Sequence, residues 1–129
     1  MRNIVIVTSV IDTPNRPFSY CATRSVYTRS ERFEQTKRTI SSIRQYMNDA
    51  LIFLVDCTDF TFEERDYFDS TCDYILNLWD HKGLHNDIFG VSKALGEATL
   101  LNAAFTYIMD NNIEYDNLYK LSGRYYLNN

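Results

Sequence analysis

The chain has 129 residues, with 13 Lys plus Arg against 17 Asp plus Glu for a formal charge of −4, and 45% of its residues are hydrophobic. That length leaves room for one domain, and a chain of this size buries about two thirds of its surface, enough for a core without disulfide or metal staples. The acidic balance excludes a surface built to bind nucleic acid, which needs clustered Lys and Arg to release counterions.

Cys21, Cys57 and Cys72 form an odd set without C-x-x-C, which fits neither a secreted disulfide framework nor a zinc ribbon and points to a reducing compartment. No apolar run reaches the roughly 18 residues that span a bilayer, and no signal-peptide cleavage pattern follows Met1. A cytoplasmic chain without a membrane span is expected.

Asn3 to Val7, N-I-V-I-V, is a β-branched run without alternation, the pattern of a central strand buried on both faces of a parallel sheet. Thr8 to Arg29 is polar and irregular, far longer than the usual connection of four to six residues, and loops of that length tend to carry function. Ser30 is placed to cap a helix whose apolar positions Phe33, Thr36, Ile40, Ile43 and Met47 are spaced three and four apart. Ala50 to Val55 is a second buried strand, and Thr61-Phe62-Glu63-Glu64 is a capping box that opens a short helix to about Asp69. Tyr74 to Leu78 supplies a third strand. Val91 to Met109 is a long helix with Val91, Ala94, Leu95, Ala98, Leu101, Phe105 and Ile108 on one stripe and Asn111-Asn112 at its end; Leu118 to Leu121 follows as a strand.

This order predicts a single α/β domain over residues 1–129: three layers, an open and mostly parallel sheet, helices on both faces. Ligands of such sheets lie beyond the carboxyl ends of the strands. Those ends are Thr8-Ser9, Asp56, Asn77 to Asp80, and Ser122-Gly123-Arg124, with Ser92-Lys93 joining them at the start of the long helix. A lysine at the positive end of a helix dipole is unfavourable unless an anion sits there, so Lys93, Lys120 and Arg124 are expected to share one electropositive pocket. A pairing of Lys93 with Glu97 one turn later is the ordinary alternative, though in the weaker orientation. Asp56 reads equally as a ribose or base contact and as a turn residue. Arg24, Arg29 and Arg32 are either solvated loop charges or a lid over a diphosphate.

Several chemistries are unsupported. There is no G-x-x-x-x-G-K-S/T, no G-x-G-x-x-G and no G-x-S-x-G, which removes P-loop kinases, dinucleotide enzymes and serine hydrolases from the leading readings. His81 and His85 have the spacing of a zinc pair, but Gly83 interrupts the helix they would need, and a loop pair without metal is the better reading.

Three stretches resemble the nucleotide-diphospho-sugar transferases of GT-A type, in particular glycosyltransferase-like proteins of viruses and bacteria. They are Thr8-Ser9-Val10-Ile11 through Arg29 to Glu31-Arg32-Phe33; Ser92-Lys93-Ala94-Leu95-Gly96-Glu97; and Tyr119-Lys120-Leu121-Ser122-Gly123-Arg124-Tyr125. The resemblance implies a Rossmann-like nucleotide-binding half and a sugar nucleotide as donor. Thr8, Ser9 and Asp56 would hold base and ribose, and Lys93 would face the diphosphate. Arg24, Arg32, Ser92, Lys120, Ser122, Gly123 and Arg124 complete the candidate substrate-binding set.

Where these enzymes carry a D-x-D for Mn or Mg after the fourth strand, this chain has Ser122-Gly123-Arg124, and no D-x-D occurs anywhere. Fixed cations are expected to neutralise the leaving diphosphate in place of a metal cofactor. The chain stops at Asn129, before the segment that normally supplies the glycan or small-molecule acceptor site, so a truncated or minimal domain is expected. Asp80 and Asp87 are the rim carboxylates nominated as catalytic base. The alternative from another class is a non-catalytic binding or assembly module that keeps the fold and associates with itself through an exposed apolar patch. A different α/β phosphotransfer enzyme is a third reading, weakened by the missing phosphate loop.

Overall fold

The computed structural model describes residues 2–13, 27–90 and 92–128. The elements run β1 (Asn3–Thr8), α1 (Arg29–Tyr46), β2 (Leu51–Asp56), α2 (Phe62–Thr71), β3 (Tyr74–Asn77), a 3₁₀ turn (Lys82–Leu84), α3 (His85–Ile88), α4 (Lys93–Asp110) and β4 (Asn117–Ser122). The four strands form one sheet in the order β3-β2-β1-β4, parallel at every pairing. Thr8 of β1 registers with Val55 of β2 and Ser122 of β4, so the carboxyl ends of three strands share one rim.

The continuous apolar runs of β1 and β2 have the reason expected of them, since both faces of these strands are covered. Ile4 and Ile6 pack with Phe53, Val55, Leu100 and Ala104 on the α4 side. Val5 and Val7 pack with Ile52, Leu54, Phe33, Ile40 and Ile43 on the side of α1 and α2. This is the three-layer, open, Rossmann-like α/β architecture that the order of elements implies.

Two elements differ from their sequence reading. The cap of α1 is Thr28 and not Ser30: the Thr28 hydroxyl accepts from the Glu31 amide and the Glu31 carboxylate from the Thr28 amide, which satisfies two helix-end donors at once. In α4 the buried positions are Gly96, Leu100, Ala104 and Ile108, whereas Ala94, Leu95, Ala98 and Phe105 of the expected stripe are exposed. Val91 lies outside the described residues. The helix is apolar on nearly every side, so spacing alone does not fix its rotation. Gly96 fixes it, because a Cβ there would sit 2.7 Å from the Ile88 carbonyl oxygen, and only glycine admits so close an approach to α3.

Hydroxyls on α1 place the segment that follows β4. The Thr39 hydroxyl donates to the Tyr125 carbonyl, and the Ser42 hydroxyl accepts from the Leu127 amide at 2.9 Å. The Gly123 amide donates to the Thr8 carbonyl at 2.8 Å, and a Cβ on Gly123 would come within 2.9 Å of Thr36 Oγ1. These contacts bring Arg124 back over the end of β1.

Candidate functional site

The rim opens into a cleft of about 250 Å³ bounded by the ends of β1 and β4, the first two turns of α4, and α3. Thr8 and Ser9 come from β1, Arg32 from α1, Lys93 and Glu97 from α4, and Lys120, Ser122 and Arg124 from β4 and its extension. Ile88 and Phe89 form the apolar wall. Four cations and one carboxylate therefore line the cleft among the described residues, on a chain whose formal charge is −4.

Arg32 is the informative cation. It is 7% exposed, and its Nη1 is buried without a hydrogen-bond partner. Burial, and then repulsion from Arg124, push its pKa down to about 10, while Asp56 and Tyr27 pull it the other way. It remains charged at neutral pH. An unpaired buried donor costs about 1–3 kcal/mol, more for a charged group, and such a deficit in a cleft marks a position that an anion would satisfy.

Asp56 is 0% exposed and lies behind the cleft, not in its lining. Its Oδ1 accepts from the Thr58 hydroxyl at 2.6 Å, and its Oδ2 is buried without a partner. Burial pushes its pKa up to about 7, against the hydrogen bond from Thr58, the nearby Ser9 hydroxyl and Cys57 amide, and the pull of Arg32. Asp56 feels the charge of Arg32 from behind the cleft but does not line it.

Glu97 is used differently from its reading as a local partner of Lys93. Its Oε1 accepts from the Thr8 hydroxyl at 2.9 Å and from Lys120 Nζ at 2.9 Å, tying α4 to β1 and β4 across the floor of the cleft. Local spacing carries no trace of this contact; only the register of β4 beside β1 makes it.

The remaining candidates divide. Ser92 does not line the cleft, because its hydroxyl caps α4 by accepting from the Leu95 amide at 3.2 Å. Gly123 supports the floor without lining it. Arg24 lies outside the described residues. Arg29 turns away to hold α2, with a bidentate contact to Glu64 at 2.9 and 2.6 Å, another to Asp12 at 2.9 Å and a third to the Asp59 carbonyl at 2.7 Å. Asp80 and Asp87 do not line the cleft. His85 Nε2 donates to the Trp79 carbonyl, 2.8 Å away, and the described residues hold no group of three His, Cys, Asp or Glu suited to a metal ion. Tyr125 is 66% exposed and borders the cleft.

The described cysteines, Cys57 and Cys72, are free thiols, with pKa values raised by burial to about 12 and about 11, which makes them poor nucleophiles. No described helix is long and apolar enough to cross a membrane. No protein-family model, curated protein or solved structure matches the chain.

Proposed function

We propose that the cleft binds the diphosphate of a nucleoside-diphosphate sugar, and that the chain is a glycosyltransferase or the donor-binding domain of one. The observation that carries this reading is the buried, partly unpartnered Arg32 close to Arg124, with Lys93 and Lys120 lining the same cleft, at the carboxyl rim of a parallel sheet. Four cations against Glu97 and the buried Asp56 leave a net positive site that suits a ligand of two or three negative charges.

In the reaction so proposed, the bond between the sugar's anomeric carbon and the diphosphate oxygen breaks as an acceptor hydroxyl attacks that carbon and gives up its proton to the departing diphosphate. The electron pair leaves with the diphosphate, where Arg32 and Arg124 meet the developing charge. Glu97, fixed through Oε1, offers its second oxygen to a sugar hydroxyl. No divalent metal is assigned a part. A module that holds the donor without turning it over is the second reading, favoured by the position of Asp80 and Asp87 outside the cleft.

Titration of the chain with UDP-, GDP- and dTDP-sugars, and with a CMP-sugar as the single-phosphate control, with and without Mn²⁺, tests both. A ligand at a hundred times its dissociation constant stabilises by about 2.7 kcal/mol, which a thermal melt resolves. One nucleotide is expected to stabilise the chain without metal, and Arg124→Ala to weaken it about 10- to 100-fold, the equivalent of one charged hydrogen bond. Stabilisation by none of them rejects the donor site; binding without sugar release in the presence of acceptors selects the module.

A further inference from the structure

The outward face of α4 is not built like a solvent face. Leu95, Ala98, Asn102, Phe105 and Met109 recur at alternating intervals of three and four, the spacing of a seam between packed helices. All five are exposed; Leu95 is 48%, Phe105 41% and Met109 68% accessible. They lie diametrically opposite Leu100 and Ala104, which face the sheet, so the core does not use them. Their exposed neighbours Ala94 and Thr106 add no charge, and Asp110 beside Met109 puts a carboxylate only at the end of the stripe. The exposed side of α1, by contrast, carries Glu31, Glu34 and Arg38, as a solvated helix does.

We infer that this face is a self-association surface on which α4 of a second copy lies antiparallel, across a two-fold axis near Asn102. Three features select a second copy as the occupant. An isologous contact sets like against like around its axis, and a stripe without charge is free of the repulsion that would follow. Its midpoint, seven residues from both Leu95 and Met109, is an asparagine, whose amide both donates to and accepts from its symmetry mate. Antiparallel packing about that point brings small Ala98 near Phe105 of the second copy and Leu95 near Met109.

The exposed area of these side chains, taken from two copies and wholly buried, would come to about 1,000 Å², below the roughly 1,200 Å² at which stable interfaces begin, so the dimer we infer is a weak one. This surface is independent of the donor reading, because the cleft lies on the opposite side of α4.

Sedimentation of the full chain from 1 to 200 µM tests it. Concentration-dependent dimers are expected; Phe105→Glu, and separately Ala98→Glu, should leave a monomer across that range with unchanged circular dichroism and unchanged nucleotide response. Asn102→Cys should form a disulfide-linked dimer under mild oxidation. A wild-type chain that stays monomeric at 200 µM overturns the inference. So do dimers that survive both glutamate variants, and dimers that form without cross-linking through position 102.

Discussion

Replacing Asp56 by asparagine isolates the electrostatic situation behind the cleft. The native carboxyl is fully buried and its pKa is raised from 3.8 to about 7, mainly by loss of hydration. Between these values the folded protein holds a proton that the unfolded chain has released. Stability therefore falls as pH rises through that window and levels off above 7. Across the window, each pH step of one costs about 1.4 kcal/mol, so the contribution that declines between pH 5 and pH 8 is about 3 kcal/mol. Arg32 stays charged throughout and does not create the slope. Asparagine keeps the acceptor that Thr58 uses but cannot ionise.

Urea unfolding of both proteins at several pH values gives the difference directly. Asp56→Asn should lose stability relative to the native chain at pH 5 and recover about 3 kcal/mol of that difference by pH 8. Other titrating groups cancel in the subtraction. A difference that is flat from pH 5 to 8 would refute the buried, proton-holding carboxyl.

Two further changes test the scaffold. Gly96→Ala improves helix propensity by about 1 kcal/mol, but its Cβ would meet the Ile88 carbonyl oxygen at 2.7 Å. Overpacking against backbone costs about 1–3 kcal/mol, so net destabilisation in urea is expected, and a more stable variant would show that α3 yields easily. Arg29→Gln removes the partner of Glu64, which is 5% exposed, and should cost about 2 kcal/mol, discounted from a fully buried pair because Arg29 is partly solvated. A cycle with Glu64→Gln showing no coupling between the two residues would rule the clamp out.

How much of this was legible in the sequence varied with the range of the interactions. β1 and β2 were readable because strands covered on both faces must be apolar at consecutive positions, and Asn3 to Val7 and Ala50 to Val55 are. The Thr61 capping box and the end of the long helix at Asn111-Asn112 were readable because cap chemistry is local; Asn112 takes the left-handed backbone, φ 52°, that asparagine tolerates. Strand ends named Thr8, Ser9 and Ser122 as rim residues, since parallel sheets put carboxyl ends on one side.

Tertiary structure alone decided the rest. The rotation of α4 was open to a helix apolar on both sides until Gly96 met Ile88. Asp56 could face outward or inward at a strand end, and the packing of Ser9 and Thr58 around it turned it in. Arg29 and Arg32 are three residues apart on one helix, yet one clamps α2 and the other reaches the cleft, because different neighbours were brought to each. The contact of Glu97 with Thr8 joins two elements 89 residues apart in the chain. Periodicity and capping report what a residue needs from its neighbours in sequence; which opposite charge or close-packed backbone meets it is set by the folding of distant segments together.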